Sequence, residues 1–188
     1  MKCSKSDFVK RINAGGLLGI LSLSLLLVGC ATPTQPRAMV PGNMEVLHRS
    51  QESISIAVSG GKRTTAVSTP QISDEAFAEA LRVSFLTSKL FMASSSETKV
   101  PLYSLDAFIA QVTQPMMGLS MRVDMEVGYS LADTRTKKVL WQRSIQSTYT
   151  AAMSEAFVGV TRLRLATEGA ARENIRKVLA DISALNLP

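Results

Sequence analysis

From Leu119 to Ala132 apolar and polar residues alternate without a break. Leu119, Met121, Val123, Met125, Val127, Tyr129 and Leu131 take one parity, and Ser120, Arg122, Asp124, Glu126, Gly128, Ser130 and Ala132 the other. Side chains of a strand point alternately to its two faces, so this period of two predicts a long strand with one buried and one wet face. The polar run Asp133-Thr134-Arg135-Thr136-Lys137 has hairpin length, and beyond it Val139, Trp141, Ile145 and Tyr149 resume the alternation. Arg143 interrupts that apolar side, as expected near a sheet edge where the stem packs and the head stays in water. Upstream, Ile54, Ile56 and Val58 alternate with serines and Ala57 and predict a first, half-buried strand that Gly60-Gly61 ends. The stretch 102–113 is apolar on both parities, the pattern of a central strand covered on both faces, and 114–118 reads as its turn.

Two segments change to helical period. Ser73-Asp74-Glu75 pairs a capping serine with two acids at the positive end of a helix dipole, and Phe77, Ala80, Leu81, Ser84, Phe85, Leu86 and Leu90 form an apolar face that ends near Phe91. Serines 94–96 are the exit loop. From about Glu155 a second, longer helix follows, with Ala171, Ile175, Val178, Ile182 and Leu185 at helical spacing. Glu168 with Arg172 and Glu173 with Lys177 are i,i+4 pairs in the favourable order, and Arg162, Arg164, Arg172 and Arg176 read as a solvated helix face. Together these elements predict an α+β domain of order β-α-β-β-β-α, with two helices on one face of a four-stranded, largely antiparallel sheet.

The N-terminus reads differently. Residues 2–11 are basic, and Leu17 to Val28 form an apolar run of about a dozen residues, short of the roughly 20 that a spanning helix needs. The run stops at Leu27-Val28-Gly29-Cys30, which fits the bacterial lipobox, in which small residues precede a cysteine that receives diacylglycerol and becomes the acylated N-terminus. Residues 1–29 are therefore expected to be a lipoprotein signal peptide. Residues 30–44, with three prolines and no periodicity, are expected to be a flexible membrane tether with a reach of roughly 20 Å. Residues 45–188 form a single periplasmic domain. Ala31 in place of aspartate after the cysteine is the pattern of sorting to the outer membrane.

Charge and composition narrow the chemistry. The net charge of +6 is half leader, since Lys2, Lys5, Lys10 and Arg11 against Asp7 contribute +3. The +3 that remains is too small and too dispersed to predict a nucleic-acid partner. Cys3 leaves with the leader and Cys30 would be acylated, so no disulfide is expected. The single histidine, His48, falls between tether and first strand, where a catalytic base is poorly positioned, and no cluster has zinc or calcium spacing. Asp124 and Glu126 share the wet face of one strand and read as strand surface. Lys62 and Arg63, after Gly60-Gly61, offer an anion or partner contact. They do not form a phosphate loop, which needs glycine where Ile56 stands.

The order of leader, lipobox, tether, strand, helix, three strands and helix resembles the small outer-membrane lipoproteins of Gram-negative bacteria typified by the lipopolysaccharide-assembly lipoprotein LptE and the ABC-transport auxiliary lipoproteins. Residue strings add to this. Ala80-Leu81-Arg82-Val83-Ser84-Phe85-Leu86, Trp141 through Tyr149, Glu155-Ala156-Phe157-Val158-Gly159 and Glu168 through Ile175 look like an uncharacterised proteobacterial lipoprotein family. Some of its members carry the name UDP-N-acetylglucosamine acyltransferase. Enzymes of that activity are parallel β-helices of hexapeptide repeats with a catalytic histidine; this chain has no such repeat and nothing at His48 matches.

The expectation is an outer-membrane lipoprotein on the periplasmic face, lacking cofactor and metal, its only added group the diacylglycerol and N-acyl lipid of Cys30. It would serve as a non-enzymatic accessory of an envelope assembly or transport system. Its contact surface would be the wet face of the 119–131 strand or the 60–65 turn. An enzyme of lipid or glycan metabolism, or a lipid carrier with an apolar cleft between helices and sheet, are the alternatives.

Overall fold

A computed structural model describes residues 32–65, 68–92 and 100–187. The expected signal peptide, with Leu27, Val28 and Gly29 of the expected lipobox, Cys30 and the expected 94–96 loop, lies outside the described residues. The elements are β1 (Ile54–Ser59), α1 (Asp74–Thr87), β2 (Tyr103–Thr113), β3 (Met121–Asp133), β4 (Val139–Ala151) and α2 (Gly159–Ser183). This is the expected α+β order.

The sheet runs β1-β2-β3-β4. It is mixed rather than largely antiparallel: β1 pairs β2 in parallel, and β2–β3 and β3–β4 are antiparallel. The link between β1 and β2 carries α1, and a crossover of that length returns the chain in the same direction. Both helices lie on one face, α1 over β1 and α2 over β3 and β4. Between them and the sheet sits one core, in which Phe77, Leu81, Phe85, Tyr103, Leu105, Val123, Val127, Tyr129, Ile175 and Val178 are all buried.

The alternation becomes β3 from Met121 onward, with Met121, Val123, Met125, Val127, Tyr129 and Leu131 buried, while Leu119, expected on the same face, is exposed in the turn before it. The Ser73 hydroxyl accepts the Ala76 N–H at 3.2 Å, so the predicted cap forms. The helix stops four residues earlier than expected. Lys89 takes a left-handed φ of 56°, Leu90 N–H donates to Phe85 O and Lys89 N–H to Leu86 O. This is a Schellman ending made without glycine, so the chain carries no stop signal. It turns Leu90 and Phe91 into the core, where the Phe91 ring stands 5.6 Å from that of Phe85.

The stretch 103–113 is covered on one face only, not two. Tyr103, Leu105, Ala107 and Ile109 point into the core, and a bulge between Ile109 and Gln111 then shifts the parity so that Val112 faces inward. A single extra residue places apolar side chains on both parities of a strand with one wet face. On α2 the expected i,i+4 partners are exchanged for others, and Glu168 lies 3.9 Å from Arg164. Glu173 pairs with Arg176, the Lys177 ammonium donates to Gln146 O at 2.7 Å, and Arg172 reaches Ala38 O at 2.7 Å. Arg143 stays exposed and bonds Asp181 at 2.7 Å, as its edge position predicts.

Candidate functional site

The side of the sheet away from the helices is uncovered, and its strands bring polar side chains into rows. Ser59, Phe108, Gly128 and Ser144 form one row, Ala57, Asp106, Ser130 and Gln142 the next, and Gln111, Glu126 and Gln146 a third. Phe108 is 56% exposed in the middle of this face. A Cβ at Gly128 would meet nothing within 4 Å, so packing does not demand this glycine. Its effect is to leave the floor open beside Phe108, where a groove of about 600 Å³ crosses all four strands. The groove sets an aromatic ring in a shallow trough among the polar side chains of Asp106, Ser130 and Gln142.

Two carboxylates on this face, Glu126 and Asp124, are engaged. Glu126 accepts from the Ser144 hydroxyl at 2.6 Å and from the Gln146 amide at 3.3 Å. Asp124 accepts from Thr148 and from Arg122, and the Thr148 hydrogen bond first, then the guanidinium, hold its carboxyl below the usual range. These are cross-strand bonds of a solvated surface. His48 is exposed far from them, its backbone N–H on Ser183 O at 3.0 Å. Among the described residues no three of His, Cys, Asp and Glu are grouped so as to hold a metal ion, and no helix is long and apolar enough to cross a membrane.

The N-terminal segment departs from the expected tether. Pro36–Met39 form a 3-10 turn against both helices, and Met39 is fully buried in the core. The Thr34 hydroxyl donates to Gln71 O at 2.8 Å, the Gln35 N–H to the Glu168 carboxylate at 2.9 Å, and Arg172 to Ala38 O. Burial raises the Glu168 carboxyl, against the Gln35 N–H and the nearby Arg164 and Arg172. The reason is composition: Met39 is a large apolar side chain within a proline-rich stretch, and prolines restrict the chain that presents it. From Thr34 to Pro41 the segment therefore belongs to the domain.

Lys62 and Arg63 stand where β1 leaves the sheet. Gly60 has φ 87°, and Gly61 donates to Asp74 Oδ1 at 2.7 Å, where a Cβ would strike the Asp74 backbone. Arg63 is committed to Glu75 at 2.9 Å. Glu75 is lowered to about 2, first by its own backbone N–H and then by Arg63. Lys62 keeps an exposed side chain.

Arg162 was expected on a solvated face and is instead buried. Its guanidinium donates to Ala156 O at 2.6 Å, Phe157 O at 3.2 Å and Gly118 O at 2.9 Å, bracing the 152–158 loop against the β2–β3 turn. Behind it Gly169 lies against the Tyr149 ring, and that ring's hydroxyl donates to Glu155 at 3.0 Å. Three further side chains, Tyr129, Asn174 and Ser147, form a buried network. The Tyr129 hydroxyl donates to Asn174 Oδ1 at 2.8 Å, and Asn174 Nδ2 donates to Ile145 O at 2.8 Å and Ser147 Oγ at 3.1 Å.

With this geometry in place, the fold can be set beside known ones. Protein XCC0632 from Xanthomonas campestris, described by the family model DUF330, superposes with a TM-score of 0.58 at 12% identity, covering 80% of this chain and 93% of that one. The hypothetical protein CT253 from Chlamydia trachomatis gives 0.48 at 13% identity, covering 72% and 100%. A minor lipoprotein from Acinetobacter baumannii gives 0.47 at 10% identity, covering 73% and 96%. The first of these shows a shared fold. No family model matches the sequence, and no curated protein does.

Proposed function

We propose that this chain is an outer-membrane lipoprotein, acylated at Cys30 on the periplasmic face, whose domain acts without catalysis as an accessory of an envelope assembly or transport system. The observation that carries the reading is the uncovered sheet face with exposed Phe108 beside Gly128, in a groove rimmed by polar side chains. An aromatic anchor in a shallow polar frame is the composition of a protein-recognition surface. The lipobox supplies the anchor, and the Gram-negative lipoprotein resemblance of the sequence agrees with it. On this reading Phe108 inserts into the partner, while Asp106, Ser130 and Gln142 fix its orientation. A carrier of lipid would need the space between helices and sheet, and that space is filled by Phe77, Leu105, Ile175 and Val178.

The test is a photoreactive side chain at Ser130 in cells of the native envelope. It is expected to form a discrete adduct with one envelope protein, and Phe108→Asp is expected to abolish that adduct while the chain remains folded. Absence of any adduct at Ser130, with a label at exposed Thr150 behaving alike, contradicts the partner surface.

A further inference from the structure

One end of the sheet is apolar in a way the rest of the surface is not. At the β2–β3 turn Met116 is 97% exposed, Met117 84% and Leu119 77%, and in the neighbouring loop Phe157 is 84% exposed with Val158 and Met153 beside it in sequence. The three Arg162 hydrogen bonds hold these two loops side by side, so their side chains form a common tip. Residues 114–120 contain no charge. The 152–158 loop contains one, Glu155, whose carboxylate is turned back onto the Ala152 N–H and the Tyr149 hydroxyl. Large side chains this exposed, this close and this braced are not scattered surface residues; they mark a contact.

What they contact follows from where the chain enters the domain. Thr34 bonds Gln71 O, the Gln71 amide donates to Gln114 Oε1 at 3.2 Å, and the Gln114 amide donates to Thr167 Oγ1 at 2.9 Å and to Pro70 O at 2.6 Å. Gln114 is the first residue of the apolar turn. The N-terminal segment is thus fastened at the root of the tip, and only three residues separate Thr34 from Cys30, a span of at most about 14 Å. Exposed Lys62 follows β1 toward this end: β1 runs parallel to β2 and stops opposite Phe108, and two residues beyond Lys62 the Thr64 hydroxyl accepts the Gln71 N–H at 2.8 Å. A short link, an apolar tip and a flanking cation match a phospholipid leaflet with anionic headgroups.

We infer that the 114–120 and 152–158 loops are a second membrane contact, which sinks Met116, Met117, Leu119 and Phe157 into the leaflet that holds the Cys30 lipid. This rests on the reading of Cys30 as the acylated residue. The acyl chains of Cys30 supply the attachment and the tip sets its orientation, with β2, β3 and β4 standing off the surface and the grooved face free to its side.

The test places a nitroxide at Met117→Cys, and in a separate chain at Thr136→Cys in the opposite hairpin, each in the full acylated protein. The probe is a vesicle of phosphatidylethanolamine and phosphatidylglycerol. Accessibility to oxygen and to a water-soluble nickel chelate is expected to put the label at 117 roughly 5–10 Å into the headgroup–acyl boundary and the label at 136 in water. Two aqueous labels overturn the inference. Spin–spin broadening at 117 that is independent of vesicles also overturns it, in favour of a second copy of the chain. Mass spectrometry of the N-terminal peptide reads the anchor separately. If Cys30 carries no lipid while 117 still reads lipid depth, the anchor reading fails and the tip contact stands; if Cys30 is acylated and 117 is aqueous, the reverse holds.

Discussion

The two ends of the sheet are built from the same strands and finished in opposite ways. Where β3 meets β4, Asp133, Arg135, Lys137 and Lys138 crowd six residues, and Asp133 accepts the Arg135 and Thr136 N–H groups at 2.8 and 2.9 Å. Those backbone bonds, that of Thr136 first, hold the Asp133 carboxyl below its ordinary range. Apart from Thr134, which donates to Pro101 O and Leu102 O, the bonds of this hairpin are made within it, and its basic side chains face water. At the other end the β2–β3 turn offers methionines and a leucine, and its carbonyl at Gly118 is satisfied by an arginine 44 positions away. A loop finished from outside, apolar at its tip and fastened to the N-terminal segment, is built to be covered. The contrast gives the domain a polarity that its layer architecture alone does not have.

The largest effect that would break this contrast is expected at the brace. Arg162→Met leaves the Ala156, Phe157 and Gly118 carbonyls without their donor and should cost about 3 kcal/mol, read as a lowered midpoint in urea unfolding. Arg135→Met at the charged end should leave the midpoint where it is. Next comes Gly169→Ala. Alanine is the better helix former by roughly 1 kcal/mol, yet its Cβ would collide with the Tyr149 ring, so a net loss of about 2 kcal/mol is expected. If the substitution stabilises the protein, Tyr149 does not hold Glu155 in the way described.

A smaller effect concerns the N-terminal clamp and pH. Burial raises Glu168 above its ordinary 4.5, so the folded state holds that proton more tightly than the unfolded one. Its contribution to stability is therefore fully present below 4.5 and is lost as pH rises through the folded value. Glu168→Gln should flatten this slope while keeping an acceptor for Gln35 N–H. Unfolding curves across the acid range check the sign, and an unchanged slope would show that Glu168 is not the group responsible.

The strands and the start of α1 were legible because their causes are local, whereas α2 begins at Gly159, without a side-chain cap, and not near Glu155 as expected. The alternation of β3 and the Ser73 cap are written within a few consecutive residues. What the sequence did not reveal depends on partners far along the chain. Arg162 and Arg172 look like solvated helix residues until the carbonyls of Gly118 and Ala38 are brought to them. The docking of Met39 hides inside a proline-rich stretch that reads as tether. The bulge at β2 made a one-faced strand look two-faced, and the parallel β1–β2 pairing follows from the α1 crossover rather than from any residue pattern. Phe108 was concealed by that same mixed parity, and Gly128 by its place among ordinary wet-face residues.

The reading of this chain as an anchored envelope lipoprotein depends on a lipid at Cys30. The most direct measurement is metabolic labelling with a palmitate analogue in a Gram-negative host, followed by separation of the membranes, for the natural chain and for Cys30→Ser. The natural chain should carry the label and sediment with the outer membrane, and Cys30→Ser should lose the label completely and accumulate uncleaved. A Cys30→Ser chain that still labels and still fractionates with the outer membrane would contradict the anchor.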